Sequence, residues 1–199
     1  MERLTFFDVD KTTFDTKSSG EKTSESLALA TGRSVSEINE INKEYKEGLA
    51  STTDFNHNDF LRKVASETGV VFKTLKQAML KPENFVLYPE TLFVLRELWI
   101  RGEKSGLFTE ADPEWQNEKI KLTGIIDFLD PSLILIERRK LKSEAIAKIP
   151  NGATLIDDKK EVIETLKQLR PDLKLVWINR KSEEEMEGVR TIHNLNELL

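Results

Sequence analysis

The amino-acid sequence predicts an α/β fold, a parallel sheet covered by helices on both faces, with an all-helical subdomain inserted early in the chain. Three observations carry this. Short continuous apolar runs recur along the sequence, helical periods lie between them, and one long interval shows helical periods alone. Continuous rather than alternating apolar runs suit strands buried on both faces, as in a parallel sheet. Strands that alternate with helices in this way are joined by right-handed crossovers.

Leu4 to Phe7 is the first expected strand, and it runs directly into Asp8 and Asp10. Residues 16–84 then show no strand pattern. Ser34 with Glu37 makes a capping box, followed by Ile38, Ile41, Tyr45 and Leu49 on one face. Phe60, Leu61 and Val64 form a second apolar stripe, and Phe72, Leu75 and Met79 a third. Pro82 and Pro89 bracket the return to the α/β pattern. Leu92, Leu95, Leu98 and Trp99 recur at helical spacing before a strand at Lys104 to Phe108. A strand at Ser132 to Ile136, a short helix from Ser143 to Lys148 and a strand at Ala153 to Ile156 follow. Val162, Ile163, Leu166 and Leu169 mark one more helix, and Leu173 to Ile178 one more strand. The expected division is a core of residues 1–15 and 85–199, with 16–84 as the helical insertion.

A chain of 199 residues fits one domain carrying such an insertion. It has no cysteine, which removes disulfide frameworks, thiolate metal sites and thiol catalysis together. The 30 Lys and Arg are interspersed with 35 Asp and Glu, for a net charge of −5, and the insertion holds ten of each sign. That balance argues against a broad grip on nucleic acid. No apolar stretch approaches the ~18 residues of a membrane span, and the first residues lack a signal-peptide pattern. A soluble cytoplasmic protein with no membrane or nucleic-acid partner is the expectation. The sequence gives no sign of the oligomeric state.

Four short segments hold candidate chemistry. In Phe6-Phe7-Asp8-Val9-Asp10-Lys11-Thr12, two carboxylates stand two residues apart at a strand end. Alternate residues of an extended chain point the same way, so both can converge where open parallel sheets place their ligands. Two close carboxylates favour a cation, or one raised pKa that suits acid–base work. An EF-hand is excluded, because Thr13 and Ser19 stand where its loop needs Gly and Glu. The second segment, Lys104 to Glu110, ends its apolar run at Thr109, a hydroxyl able to donate to an anion. The third holds Lys140 and Lys142 at the start of an expected helix, where an ammonium can neutralise a phosphate. The fourth, Thr154-Leu155-Ile156-Asp157-Asp158, offers hard oxygen ligands of the kind Mg²⁺ takes, or a helix N-cap.

In this order, DVDKT, GLFT, the Lys140/Lys142 region and LIDD resemble the four motifs of the haloacid dehalogenase-like (HAD) hydrolase superfamily. The similarity extends to Leu87-Tyr88-Pro89-Glu90, to Leu122-Thr123-Gly124-Ile125 and to the segment from Leu175 to Arg180. The 16–84 insertion falls where that family carries a helical C1-type cap, and the resemblance implies a Rossmann-like core. It implies a Mg²⁺-dependent phosphatase acting on a small phosphorylated metabolite through an aspartyl-phosphate. Asp8 would be the nucleophile and Asp10 the acid–base group, while Thr109 and Lys142 would hold the phosphoryl oxygens. Lys142 is preferred to Lys140 because the helix begins immediately after it. Asp8, Asp158 and the backbone carbonyl of Asp10 would hold the metal, with a lesser role for Asp157. The family's dehalogenases generally lack the second aspartate of the DxD, so Asp10 favours phosphoryl chemistry. A phosphosugar mutase and a catalytically silent binding protein are the alternatives within the family. Several positions depart from its pattern: Lys11 replaces a common Gly, Glu110 a common Asn, and Val162 a common Asp, for which Glu161 could substitute.

Overall fold

The computed structural model describes residues 3–199. Six strands pair in parallel: β1 (Leu4–Phe7), β2 (Lys104–Glu110), β3 (Ile134–Glu137), β4 (Thr154–Asp157), β5 (Lys174–Ile178) and β6 (Arg190–Ile192). Their order across the sheet is β3-β2-β1-β4-β5-β6. The first strand is therefore central, and the order reverses between β1 and β4. In an open α/β sheet, that switch point opens a crevice beyond the strands' carboxyl ends.

Period-2 geometry divides the strand residues between two cores. Phe7, Leu107, Ile156, Val176 and Ile178 face one side. There they meet Val94, Leu95 and Leu98 of α5 (Thr91–Ile100) and Ile120 of α6 (Pro113–Leu122). Phe6, Phe108, Leu155 and Trp177 face the other. They pack on α7 (Ser143–Ile146) and on Val162, Ile163 and Leu166 of α8 (Lys160–Leu169). Each fully buried large apolar side chain contributes about 1.5–3 kcal/mol, so the paired Phe6 and Phe7, both 0% exposed, fix β1 between two layers.

Between β1 and β2 lie α1 (Thr16–Thr31), α2 (Val35–Glu47), α3 (His57–Thr68) and α4 (Phe72–Met79), with no strand among them. Leu27, Ile38, Ile41, Phe60, Leu61, Val64, Leu75 and Met79 give these helices a core of their own. The capping box forms as expected: the Glu37 N–H donates to Ser34 Oγ at 3.2 Å, and the Ser34 N–H donates to Glu37 Oε2 at 2.8 Å. Trp115 of α6 packs against both this cluster and the sheet core.

Two local expectations differ from the structure, and one strand was not expected. Residues Pro131–Leu133 form a 3-10 turn, because Asp130 accepts the Ser132 N–H at 2.9 Å, so β3 starts at Ile134. Strand β6 has only three residues at the sheet edge, too few to show a pattern. In α5 the buried stripe is Thr91, Val94, Leu95 and Leu98, whereas Leu92 and Trp99 are 41% and 63% exposed. That helix is apolar on nearly every side, so sequence spacing supplies two overlapping stripes and packing selects one.

Candidate active site

The site sits at the β1/β4 switch point and begins with how β1 ends. The Asp8 N–H donates to the Ile156 carbonyl at 2.9 Å, which extends strand pairing by one residue. The chain then turns sharply. The N–H groups of Thr12, Thr13 and Phe14 converge on the Val9 carbonyl at 3.3, 3.0 and 2.9 Å. Lys11 takes φ 64° within this turn, a left-handed conformation that costs a residue with a Cβ about 1–2 kcal/mol. Gly would adopt it freely. From the other side, Arg180 stacks on Tyr88 at 3.6 Å and donates to the Thr12 carbonyl at 2.8 Å. It also pairs with Glu90 at 2.7 Å.

Because the extended run stops here, Asp8 and Asp10 do not share partners as simple alternation predicts. Asp8, 4% exposed, joins Asp157 and Asp158 in a cluster, with one oxygen of each within 4.8 Å of the others. The lysine that enters this cluster is Lys140. Its Nζ lies 2.8 Å from Asp8 Oδ1 and 2.5 Å from Asp157 Oδ2, and the residue is 1% exposed. Burial alone would lower its pKa, but the facing Asp8 and Asp157 carboxylates raise it well above the usual lysine value. Lys142, expected in this role, is instead an exposed residue at the N-terminus of α7. The reason is geometric. The segment after β3 enters the crevice at Lys140 and has returned to the surface two residues later.

Asp157 is fully buried, and its Oδ1 accepts the Lys159 N–H at 2.9 Å. It thus serves the strand-to-helix turn and the cluster together. Burial and the Asp8 charge raise its pKa, although Lys140 opposes them. Asp158 has a buried Oδ1 with no hydrogen-bond partner among the described residues. Burial, then the Asp8 carboxylate, pushes its pKa up to about 6. Three carboxylates around one ammonium leave two uncompensated negative charges when all are ionised. Magnesium fits this donor set: the charge deficit is that of a divalent ion, and the Asp158 oxygen is an unused hard ligand. Glu161 is exposed and Val162 lies in the core, so neither joins the cluster.

Asp10 is held elsewhere. Lys119 Nζ lies 2.9 and 3.0 Å from its two oxygens, and the Thr16 hydroxyl donates to Oδ1 at 2.9 Å. Burial would raise the Asp10 pKa, but Lys119 outweighs it and the carboxyl stays below its usual value. Thr109 is 1% exposed near the carboxyl end of β2, and its hydroxyl oxygen accepts from Gln116 Nε2 at 3.1 Å. Glu110, the extra charge of the departure from the family pattern, faces Lys159 at 3.7 Å.

Sequence reasoning missed Lys119. Trp115 and Gln116 lie four and three positions before Lys119 on α6, and all three line a cavity of about 380 Å³. The cavity lies between the sheet and helices α1–α4 and reaches Asp10. Contacts join the helical insertion to the sheet side: His57 stacks on Trp115 with ring centroids 3.9 Å apart, Arg139 pairs with Asp54 at 2.6 Å, and Asn56 donates to Asp112 at 3.3 Å. His193 lies away from these groups, its Nδ1 2.8 Å from the Asn179 carbonyl. No helix among the described residues is long and apolar enough to cross a membrane.

No protein-family model and no curated protein matches the chain. Solved structures do. A HAD phosphatase from Thermococcus onnurineus is 22% identical with a TM-score of 0.67, over 100% of this chain and 96% of that one. A haloacid dehalogenase-like hydrolase from Burkholderia xenovorans is 16% identical with a TM-score of 0.73, over 100% and 95%. The magnesium-bound HAD-hydrolase YfnB from Bacillus subtilis is 17% identical with a TM-score of 0.66, over 99% and 96%. With its strand order and the carboxylate cluster at the switch point, this chain has the haloacid dehalogenase-like (HAD) hydrolase fold.

Proposed function

We propose that this protein is a Mg²⁺-dependent phosphatase that hydrolyses a small phosphorylated metabolite through an aspartyl-phosphate, with helices α1–α4 acting as a cap. The observation that carries this reading is the Lys140 ammonium held between Asp8 and Asp157, beside the unpartnered oxygen of Asp158. A carboxylate attacking a phosphate dianion meets like-charge repulsion, and positive charge at the point of attack removes it. Asp8 and Asp158, with the Asp10 backbone carbonyl, would hold magnesium, which when bound supplies the remaining neutralising charge. Asp157 belongs to the same cluster and fixes Lys140.

Asp8 forms a bond from its carboxylate oxygen to phosphorus while the bond from phosphorus to the leaving oxygen breaks. The leaving oxygen takes a proton from the Asp10–Lys119 pair, in which Lys119 Nζ lies 2.9 Å from Asp10 Oδ1. Water then attacks phosphorus and gives its proton back to that pair. The Asp8–phosphorus bond breaks, and phosphate is released. Lys140 and Thr109 bind the phosphoryl oxygens.

The test is phosphate release from acetyl phosphate by the purified chain, with magnesium and with EDTA, beside chloride release from 2-chloropropionate. The expected result is magnesium-dependent phosphate release, lowered at least about 10³-fold in Asp8→Asn. Chloride release without phosphate release would overturn the reading.

A further inference from the structure

The cavity beyond Asp10 has an unusual wall. Aromatic rings run from the acid–base pair into the helical insertion without a gap. Lys119 Nζ stands 4.3 Å over Phe14, whose ring lies 6.3 Å from Phe85. Phe85 is 5.6 Å from Trp115, and Trp115 stacks on His57. His57 is 4.9 Å from Phe55. Burial, then the Lys119 charge, drives the His57 pKa down to about 3, so this ring is uncharged at neutral pH.

Several polar groups of the same wall are engaged within the protein. Ser19 Oγ accepts the Val86 N–H at 2.9 Å, Ser24 Oγ donates to Asn39 at 2.8 Å, and Asn84 donates to the Ala78 and Met79 carbonyls. A polyhydroxyl group entering this space would give up water for few replacements. A flat apolar ring would lose nothing. Asn42 Oδ1, His57 Nδ1 and Gln116 Oε1 are buried without partners among the described residues, and all three residues line the cavity. Pockets of this size commonly pair apolar walls with a few such orienting groups.

We infer that the leaving group of the substrate is a planar aromatic alcohol, carrying on the edge remote from phosphorus a hydrogen-bond donor that meets Asn42. The inference rests on the phosphatase reading above and names its substrate class. The ring would lie against Phe55, His57, Trp115 and Phe85, with the ester oxygen at Asp10 and Lys119.

The experiment compares kcat/KM for benzyl phosphate, 3-hydroxybenzyl phosphate, ethyl phosphate and glucose 6-phosphate, all esters of primary alcohols, with acetyl phosphate as a ringless reference. Benzyl phosphate should exceed ethyl phosphate and glucose 6-phosphate by about tenfold or more, and the 3-hydroxy ester should exceed benzyl phosphate. Phe55→Ala should reduce the benzyl-to-ethyl ratio by about tenfold. Asn42→Leu should abolish the advantage of the 3-hydroxy ester. The wild-type panel decides even if a variant fails to fold. Equal or better turnover of the ringless esters, with acetyl phosphate hydrolysed, overturns the aromatic assignment and leaves the phosphatase reading intact. No phosphate released from any of these compounds overturns both.

Discussion

Replacing Asp158 with Asn should make the metal-free protein more stable at neutral pH. Burial and the neighbouring Asp8 carboxylate move the Asp158 pKa from 3.8 to about 6. At about 1.4 kcal/mol per tenfold change in protonation equilibrium, that displacement corresponds to about 3 kcal/mol. The sign follows from proton counts. Between the unfolded and folded pKa values the folded protein binds more protons than the unfolded chain, so stability falls as pH rises through that window. The loss is absent below the unfolded pKa and complete above the folded one. Asn keeps the side-chain volume and removes the charge. In EDTA at about pH 7.5 the variant should therefore gain up to about 3 kcal/mol, or roughly 6–12 °C in Tm for a chain of this size. At about pH 4 the gain should vanish. Magnesium should stabilise the wild type and have little effect on the variant. Urea unfolding followed by tryptophan fluorescence, at both pH values and with or without magnesium, measures all of this. A variant less stable than wild type in EDTA at neutral pH would refute the reasoning, as would an equal magnesium response in both proteins.

Lys140→Met should cost about 3–5 kcal/mol in urea unfolding at neutral pH, because it leaves buried carboxylates without their cation. Lys142→Met, at an exposed position, should change stability by less than about 0.5 kcal/mol, which separates the two lysines directly. Lys11→Gly should raise stability by up to about 1 kcal/mol by relieving the left-handed conformation, and a lower melting temperature would count against it. Gly106→Ala should destabilise the fold by about 1–3 kcal/mol or more. An added Cβ there would meet the Cβ and carbonyl oxygen of Leu133 at 2.5 Å, so unchanged stability would show that β2 and the turn before β3 are looser than described.

The parallel sheet was legible because strands buried on both faces carry continuous apolar runs, as Phe6-Phe7 and Leu175 to Ile178 do. Asp8 and the Asp157–Asp158 pair could be singled out because they stand at or just past the carboxyl end of such a strand, where an acidic residue interrupts an apolar run. Lys119 was not legible. On a helix carrying Lys119 and Lys121, only the docking of α6 decides that Lys119 is 5% exposed and meets Asp10 while Lys121 stays at the surface. That Lys140 rather than Lys142 enters the carboxylate cluster was not legible for the same reason, since the path of an irregular segment carries no periodic signal.

Local sequence determined most of the strands and helices, the Ser34 cap, and which carboxylates stand at strand ends. Those properties depend on backbone preference and on burial patterns within a few residues. The tertiary structure alone decided which charges meet. Asp8 lies 132 residues from Lys140 and Asp10 109 from Lys119. Pairing over such separations arises only when the sheet order is set and helices dock on it, because electrostatic attraction selects among side chains that packing has already brought within a few ångströms.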